Sequence, residues 1–245
     1  MRADLPFSLP LPTLPALLGV LLTSLLLAGC DNRPPDHAFL PWDIKVNEND
    51  QVSVFGVTLG ESTLLDFKRL YDQKADLAMF AQPGEPMTME AYFGQMAIGP
   101  LTAKVVLVAD VDTTTLERWA EQSSTADPTP SGARKLTLSD EALLEAQEKP
   151  IRSISYAPSA DYEEDLIRRR FGEPAEKRAM PHAERDEDAP SATLWLYPAK
   201  GLAITVEPDD TELFQYINPG RFDQLVARTL DGAPDGKPDG KPDGQ

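Results

Sequence analysis

The chain is poor in the residues that usually carry chemistry. It has one cysteine and two histidines in 245 residues. A single cysteine excludes an internal disulfide, so packing alone must hold the core. It also excludes a cysteine metal cluster and a Cys/His nucleophile pair. Basic residues are scarce too, 23 against 40 acidic ones, which leaves a formal net charge of −17. Nucleic acid and anionic membrane surfaces both attract clustered Lys and Arg, so neither is an expected partner. The charge is read as serving solubility. Gly56-x-x-x-Gly60 lacks the Lys-Ser/Thr of a phosphate loop. Leu59-Gly60-Glu61-Ser62-Thr63 lacks the second glycine of a nucleophile elbow. No long apolar run is present. The best, Ala16 to Leu27, covers about a dozen residues, where a spanning helix needs roughly 20.

That run has the length of a signal h-region. Residues 1–29 are read as a leader with a weak n-region, in which Arg2 is offset by Asp4, and with Pro6, Pro10, Pro12 and Pro15 opposing regular helix. The leader ends on Leu27-Ala28-Gly29-Cys30. These four residues resemble the lipobox of bacterial lipoproteins at every position. The resemblance implies that the Cys30 thiol is joined to diacylglycerol and that a peptidase recognising Leu27, Ala28 and Gly29 cuts before it. The new amine is often acylated as well, and two or three chains hold a protein on a bilayer far better than one. Asp31 looks like the inner-membrane retention signal of enteric lipoproteins. It favours the inner membrane and leaves the outer one open. The expected location is therefore a membrane, with the chain facing the periplasm.

About 215 residues remain after the leader, enough for one large domain or two small ones. Residues 30–41 hold prolines and little periodicity, a tether in which His37 is solvated. Trp42 to Val46 and Val52 to Val57 alternate as a hairpin around Asn47–Asp50. Ser62 or Thr63 can cap the next helix, with Thr63-x-x-Asp66 as a capping box, and Leu64, Phe67, Leu70 and Tyr71 fall on one face. Strands are expected over Leu77–Phe80, Met89–Met96 and Leu101–Ala109. The last of these ends in five residues without a polar side chain and is predicted to be central. A helix follows from Thr114 through Trp119. Residues 122–133 read as a linker, Leu136–Leu138 as a short strand, and Ser139 as the cap of another helix.

The remainder runs as a strand over Ile151–Tyr156, a helix capped at Asp161 and stopped by Gly172-Glu173-Pro174, and a polar surface loop over 175–190. Strands at Thr193–Tyr197, Leu202–Val206 and Leu213–Ile217 lead to a final helix over Phe222–Leu230. The Pro-Asp-Gly-Lys repeats of the tail, 231–245, bury nothing. The expected class is α+β: antiparallel sheets packed with short helices, arranged as two related strand-helix-strand units, 42–121 and 134–230.

Ile167 to Pro174 followed by Trp195-Leu-Tyr197-Pro198-x-x-Gly201-Leu202 resembles the BamE-like lipoproteins of the outer-membrane β-barrel assembly machinery, and the wider β-lactamase-inhibitor-like folds. The resemblance covers residues 159–217 and implies an α+β layer and a protein-binding role. Trp195 and Tyr197 alternate with Leu194 and Leu196, so one pair is a candidate exposed interface, the alternative being core or sheet packing. Arg168-Arg169-Arg170 suits a helix C-terminus, an acidic partner or a lipid headgroup. The acids around His182 are read as a solvated loop, with no metal expected. No catalytic constellation and no cofactor site emerge. The expected function is a lipid-anchored binding or scaffold protein of the envelope, its partners the membrane through Cys30 and an envelope protein. The alternative is an envelope enzyme using carboxylates, or a small-ligand carrier.

Overall fold

The computed structural model describes residues 39–130, 132–180, 191–209 and 211–231. The leader, the lipobox with Cys30 and Asp31, His37, His182 and most of the tail lie outside these residues. The fold is α+β. Short strands β1 (Lys45–Val46), β2 (Val52–Val54) and β3 (Val57–Thr58) form a small antiparallel sheet. A second antiparallel sheet holds ten strands: β4 (Asp76–Ala81), β5 (Thr88–Ile98), β6 (Leu101–Ala109), β7 (Ala126–Pro128), β8 (Arg134–Leu136), β9 (Ile151–Pro158), β10 (Glu176–Ala179), β11 (Thr193–Tyr197), β12 (Leu202–Val206) and β13 (Glu212–Ile217). Their order is β10-β11-β12-β13-β9-β6-β5-β4-β8-β7. The apolar run of β6 lies between β5 and β9, well inside the sheet, as its sequence predicts.

Five helices are described: α1 (Leu64–Tyr71), α2 (Thr113–Glu121), α3 (Asp140–Gln147), α4 (Glu164–Phe171) and α5 (Phe222–Leu230). The Thr63 capping box is complete. Thr63 Oγ1 accepts from the Asp66 N–H at 3.2 Å, and the Asp66 carboxylate accepts from the Thr63 N–H at 2.8 Å. Ser139 caps α3. For α2 the cap is Asp112 rather than Thr114, because its carboxylate accepts both the N–H and the hydroxyl of Thr115. For α4 the N-cap is Glu163 rather than Asp161, and no side chain caps it.

The strand period of two gives the ten-stranded sheet two faces, both covered at β11 to β13. Met89, Ala91, Phe93, Val105, Leu107, Ile154, Trp195, Ile204, Phe214 and Tyr216 share one core with α1 to α4 and the small sheet. On the opposite face Leu194, Leu196, Ala203 and Ile217 pack against Phe222, Leu225 and Val226 of α5. Aromatic rings dominate the centre of the first core. Phe214 lies 5.2–5.7 Å from Tyr156, Tyr162 and Phe171, centroid to centroid. Phe55 packs between Tyr156, tilted at 5.4 Å, and Tyr216, edge-to-face at 5.2 Å. This contact holds a phenylalanine at φ 53, beside Gly56 at φ 74, in the two-residue turn joining β2 to β3. Both central residues have positive φ, the twist that a tight hairpin needs.

Three sequence expectations change. Residues 122–133 contain β7, which pairs with β8 and extends the sheet beyond β4. Residues 175–180 contain β10, paired with β11. Leu70 does not share the buried face of Leu64 and Phe67 but is exposed. Both stretches of the chain do run strand, helix and three-strand meander, β3-α1-β4-β5-β6 and β9-α4-(β10)-β11-β12-β13. They differ at the opening strand. β9 returns to pair with β13, while β3 stays in the separate small sheet. The two stretches also share one sheet, through the β6–β9 pairing.

Candidate functional site

Trp195 and Tyr197 do not form an exposed interface. They are 0% and 4% exposed and face the first core. Neighbouring Leu194 and Leu196 are buried as well, beneath α5. The alternation along β11 is real, but both faces of the sheet are covered at this strand, so neither pair reaches solvent. The Tyr197 hydroxyl donates to the Gly172 carbonyl at 3.1 Å. Burial pushes that phenol up to about 12, with the Glu173 carboxylate adding to the shift. The Trp195 indole N–H is buried and finds no acceptor, as does the Ser153 hydroxyl on the other face.

The arginine run closes α4 and is largely occupied. Arg168 reaches Glu164 at 3.1 Å and Glu173 at 3.5 Å, and its guanidinium stands 5.2 Å from the Trp195 ring. Lys177 approaches the same ring at 3.4 Å and also bonds Glu164. Lys200 donates to the Phe171 carbonyl at 2.5 Å, closing the last turn of the helix. Arg170 stands over the Trp42 ring, its guanidinium carbon 4.3 Å from the centroid. These are positively charged groups laid on aromatic faces and one helix C-terminus, a stabilising arrangement.

A concavity lies on the other face of the sheet. A groove of about 530 Å³ runs between α5 and strands β10 and β11. Its floor is apolar, made by Leu196, Phe222, Val226 and Leu230. Its rim carries Glu176, Arg178 and Asp223. Arg178 holds Glu176 with two bonds of 2.7 and 2.9 Å, which keeps the Glu176 carboxyl below its ordinary range. β10 ends the sheet on this side, and all four of its residues are exposed. An apolar channel beside a strand edge is the geometry that accepts an extended peptide. The alternating charges of Glu176, Lys177 and Arg178 guard that edge against unselective pairing.

Nothing in the groove converges for catalysis: its acid pair is split between a bonded Glu176 and Asp223 on the helix. Among the described residues no three His, Cys, Asp or Glu side chains come together to hold a metal ion. Among them no helix is long and apolar enough to cross a membrane. The sequence offered little route to the groove. Its walls come from residues 175–178, 196–198 and 222–230, and β10 has no apolar periodicity to announce it. No family model, no curated protein and no solved structure matches the chain.

Proposed function

We propose that this is a lipid-anchored periplasmic protein that binds or scaffolds a protein partner during assembly or maintenance of the envelope, without enzymatic activity. The observation that carries the reading is Leu27-Ala28-Gly29-Cys30 at the end of an apolar run. The anchor is diacylglycerol on the Cys30 thiol, and Asp31 favours the inner membrane. The domain supports a binding role in two ways. Its groove has an apolar floor, and it is bordered by the exposed strand β10. The partial resemblance of residues 159–217 to BamE-like domains points the same way. The partner chemistry that fits the groove is an extended peptide segment with two or three apolar side chains.

Fractionation of cells carrying the natural protein and Cys30→Ser tests the anchor. The natural protein is expected in the membrane fraction, resistant to high salt because lipid rather than charge holds it. The variant is expected to leave that fraction. Membrane binding that survives the substitution contradicts the reading.

A further inference from the structure

The described residues begin at Phe39, nine positions after Cys30. Nine residues reach at most about 30 Å when fully extended. On the anchor reading, on which this inference rests, the surface around Phe39 is held close to the bilayer at all times. Two large apolar side chains are exposed on it. Phe39 is 39% exposed and Leu70 is 44% exposed. The two meet over Gly56: Leu70 Cδ2 and Phe39 Cδ2 each lie 2.7 Å from where a Cβ on that glycine would sit. Trp42 follows three residues later, half-buried, with the Arg170 guanidinium over its ring. The segment is fixed in place, since Tyr216 donates to the Pro41 carbonyl at 3.0 Å and Trp42 meets Phe171 edge-on at 6.4 Å.

We propose that Phe39 and Leu70, with Trp42 and Arg170 beside them, form the face on which the domain rests against the lipid bilayer. Tryptophan and arginine suit that depth, the indole at the headgroup level and the guanidinium reaching phosphate while its stem stays in apolar surroundings. The protein carries a net charge of −17, so its overall field does not draw it to an anionic surface. The contact is apolar and local. It does not need to be strong, because the anchor keeps the effective concentration of lipid high. Resting on this face fixes the orientation of the domain and leaves the groove beside α5 at a constant attitude to the membrane.

The acylated, full-length mature protein in neutral phosphatidylcholine vesicles tests this. One set of vesicles carries bromine in the upper part of the acyl chains. Of the three tryptophans, Trp119 and Trp195 are 0% exposed, so Trp42 is the one within reach of the quencher. Emission is expected to fall in the brominated vesicles, and Trp42→Phe is expected to abolish the fall. Phe39→Asp combined with Leu70→Asp is expected to lose the quenching while the protein still floats with the vesicles. Protein that floats with its Trp42 emission unchanged overturns the proposal and leaves the anchor standing. So does quenching that survives the double substitution. Protein that does not float at all removes the anchor reading, and the proposal falls with it.

Discussion

Replacing Gly201 by alanine is expected to cost at least about 3 kcal/mol of stability, seen as a fall in Tm of roughly 6–12 °C. Gly201 ends the turn between β11 and β12 at φ 58, a left-handed conformation that a side chain disfavours by about 1–2 kcal/mol. The larger part is steric. A Cβ at this position would overlap the Ile217 carbonyl oxygen and stand 2.8 Å from Val52 Cγ2. The first obstacle is backbone, and Ile217 is itself fixed by donating to the Gly201 carbonyl at 2.9 Å. Relief would have to part the small sheet from β13. Gly84→Ala is the control. Gly84 also has a positive φ, of 85, but nothing lies within 4 Å of its Cβ position. That change is expected to cost only about 1 kcal/mol, from the backbone alone. Equal losses at the two sites would mean that the close approach at Gly201 is not there.

Raising the pH above about 10 is expected to unfold the protein in one cooperative step, with phenolate absorbance rising as near-ultraviolet dichroism is lost. Burial holds the phenols of Tyr71, Tyr156, Tyr162, Tyr197 and Tyr216 above their ordinary value of 10.0. Three of them donate to backbone carbonyls: Tyr71 to Phe55, Tyr197 to Gly172 and Tyr216 to Pro41. A phenolate there would lose its donor and face a carbonyl oxygen in an apolar setting. Groups whose folded pKa is raised stabilise the fold fully below the unfolded value and lose that contribution as pH climbs toward the folded one. Each phenol that ionises only in the unfolded chain removes about 1.4 kcal/mol per pH unit above that point. Tyr156 and Tyr216, both 0% exposed, together account for about 3 kcal/mol by about pH 11. That is a large share of the roughly 5–15 kcal/mol that holds an ordinary domain folded. Tyr156→Phe is expected to raise the midpoint. Its hydroxyl has only a 3.5 Å contact with that of Tyr162 to lose. Tyr92 is exposed, so more than one phenolate forming while the dichroism stays intact would contradict the burial of the other rings.

The two expectations depend on parts of the fold that the sequence signals unequally. β6, β11, β12 and α5 are legible because each is announced by an apolar pattern of the right period, and α1 and α3 by a capping side chain at the correct position. The edge strands β7 and β10 are not. Ala126–Pro128 and Glu176–Ala179 pair on one side only and bury little, so their polar sequences look like the loops around them. α2 begins earlier than expected because the Asp112 carboxylate accepts the Thr115 N–H.

The proposed anchor rests on Leu27-Ala28-Gly29-Cys30, a contiguous pattern that a sequence displays directly. The groove and the Phe39–Leu70 face are made by residues distant in the chain. Leu70 sits at helical spacing from Leu64 and Phe67, yet only those two turn into the core. The same limit applies to Trp195 and Tyr197. Alternation gives the two faces of a strand, but not whether a helix covers each one.

The most direct test of the central claim is the intact mass of the protein extracted from membranes. The account predicts a chain beginning at Cys30 and heavier than its amino acids by a diacylglyceryl group, with or without a further acyl chain on the amine. A chain that starts elsewhere, or one whose Cys30 thiol is free, would contradict it.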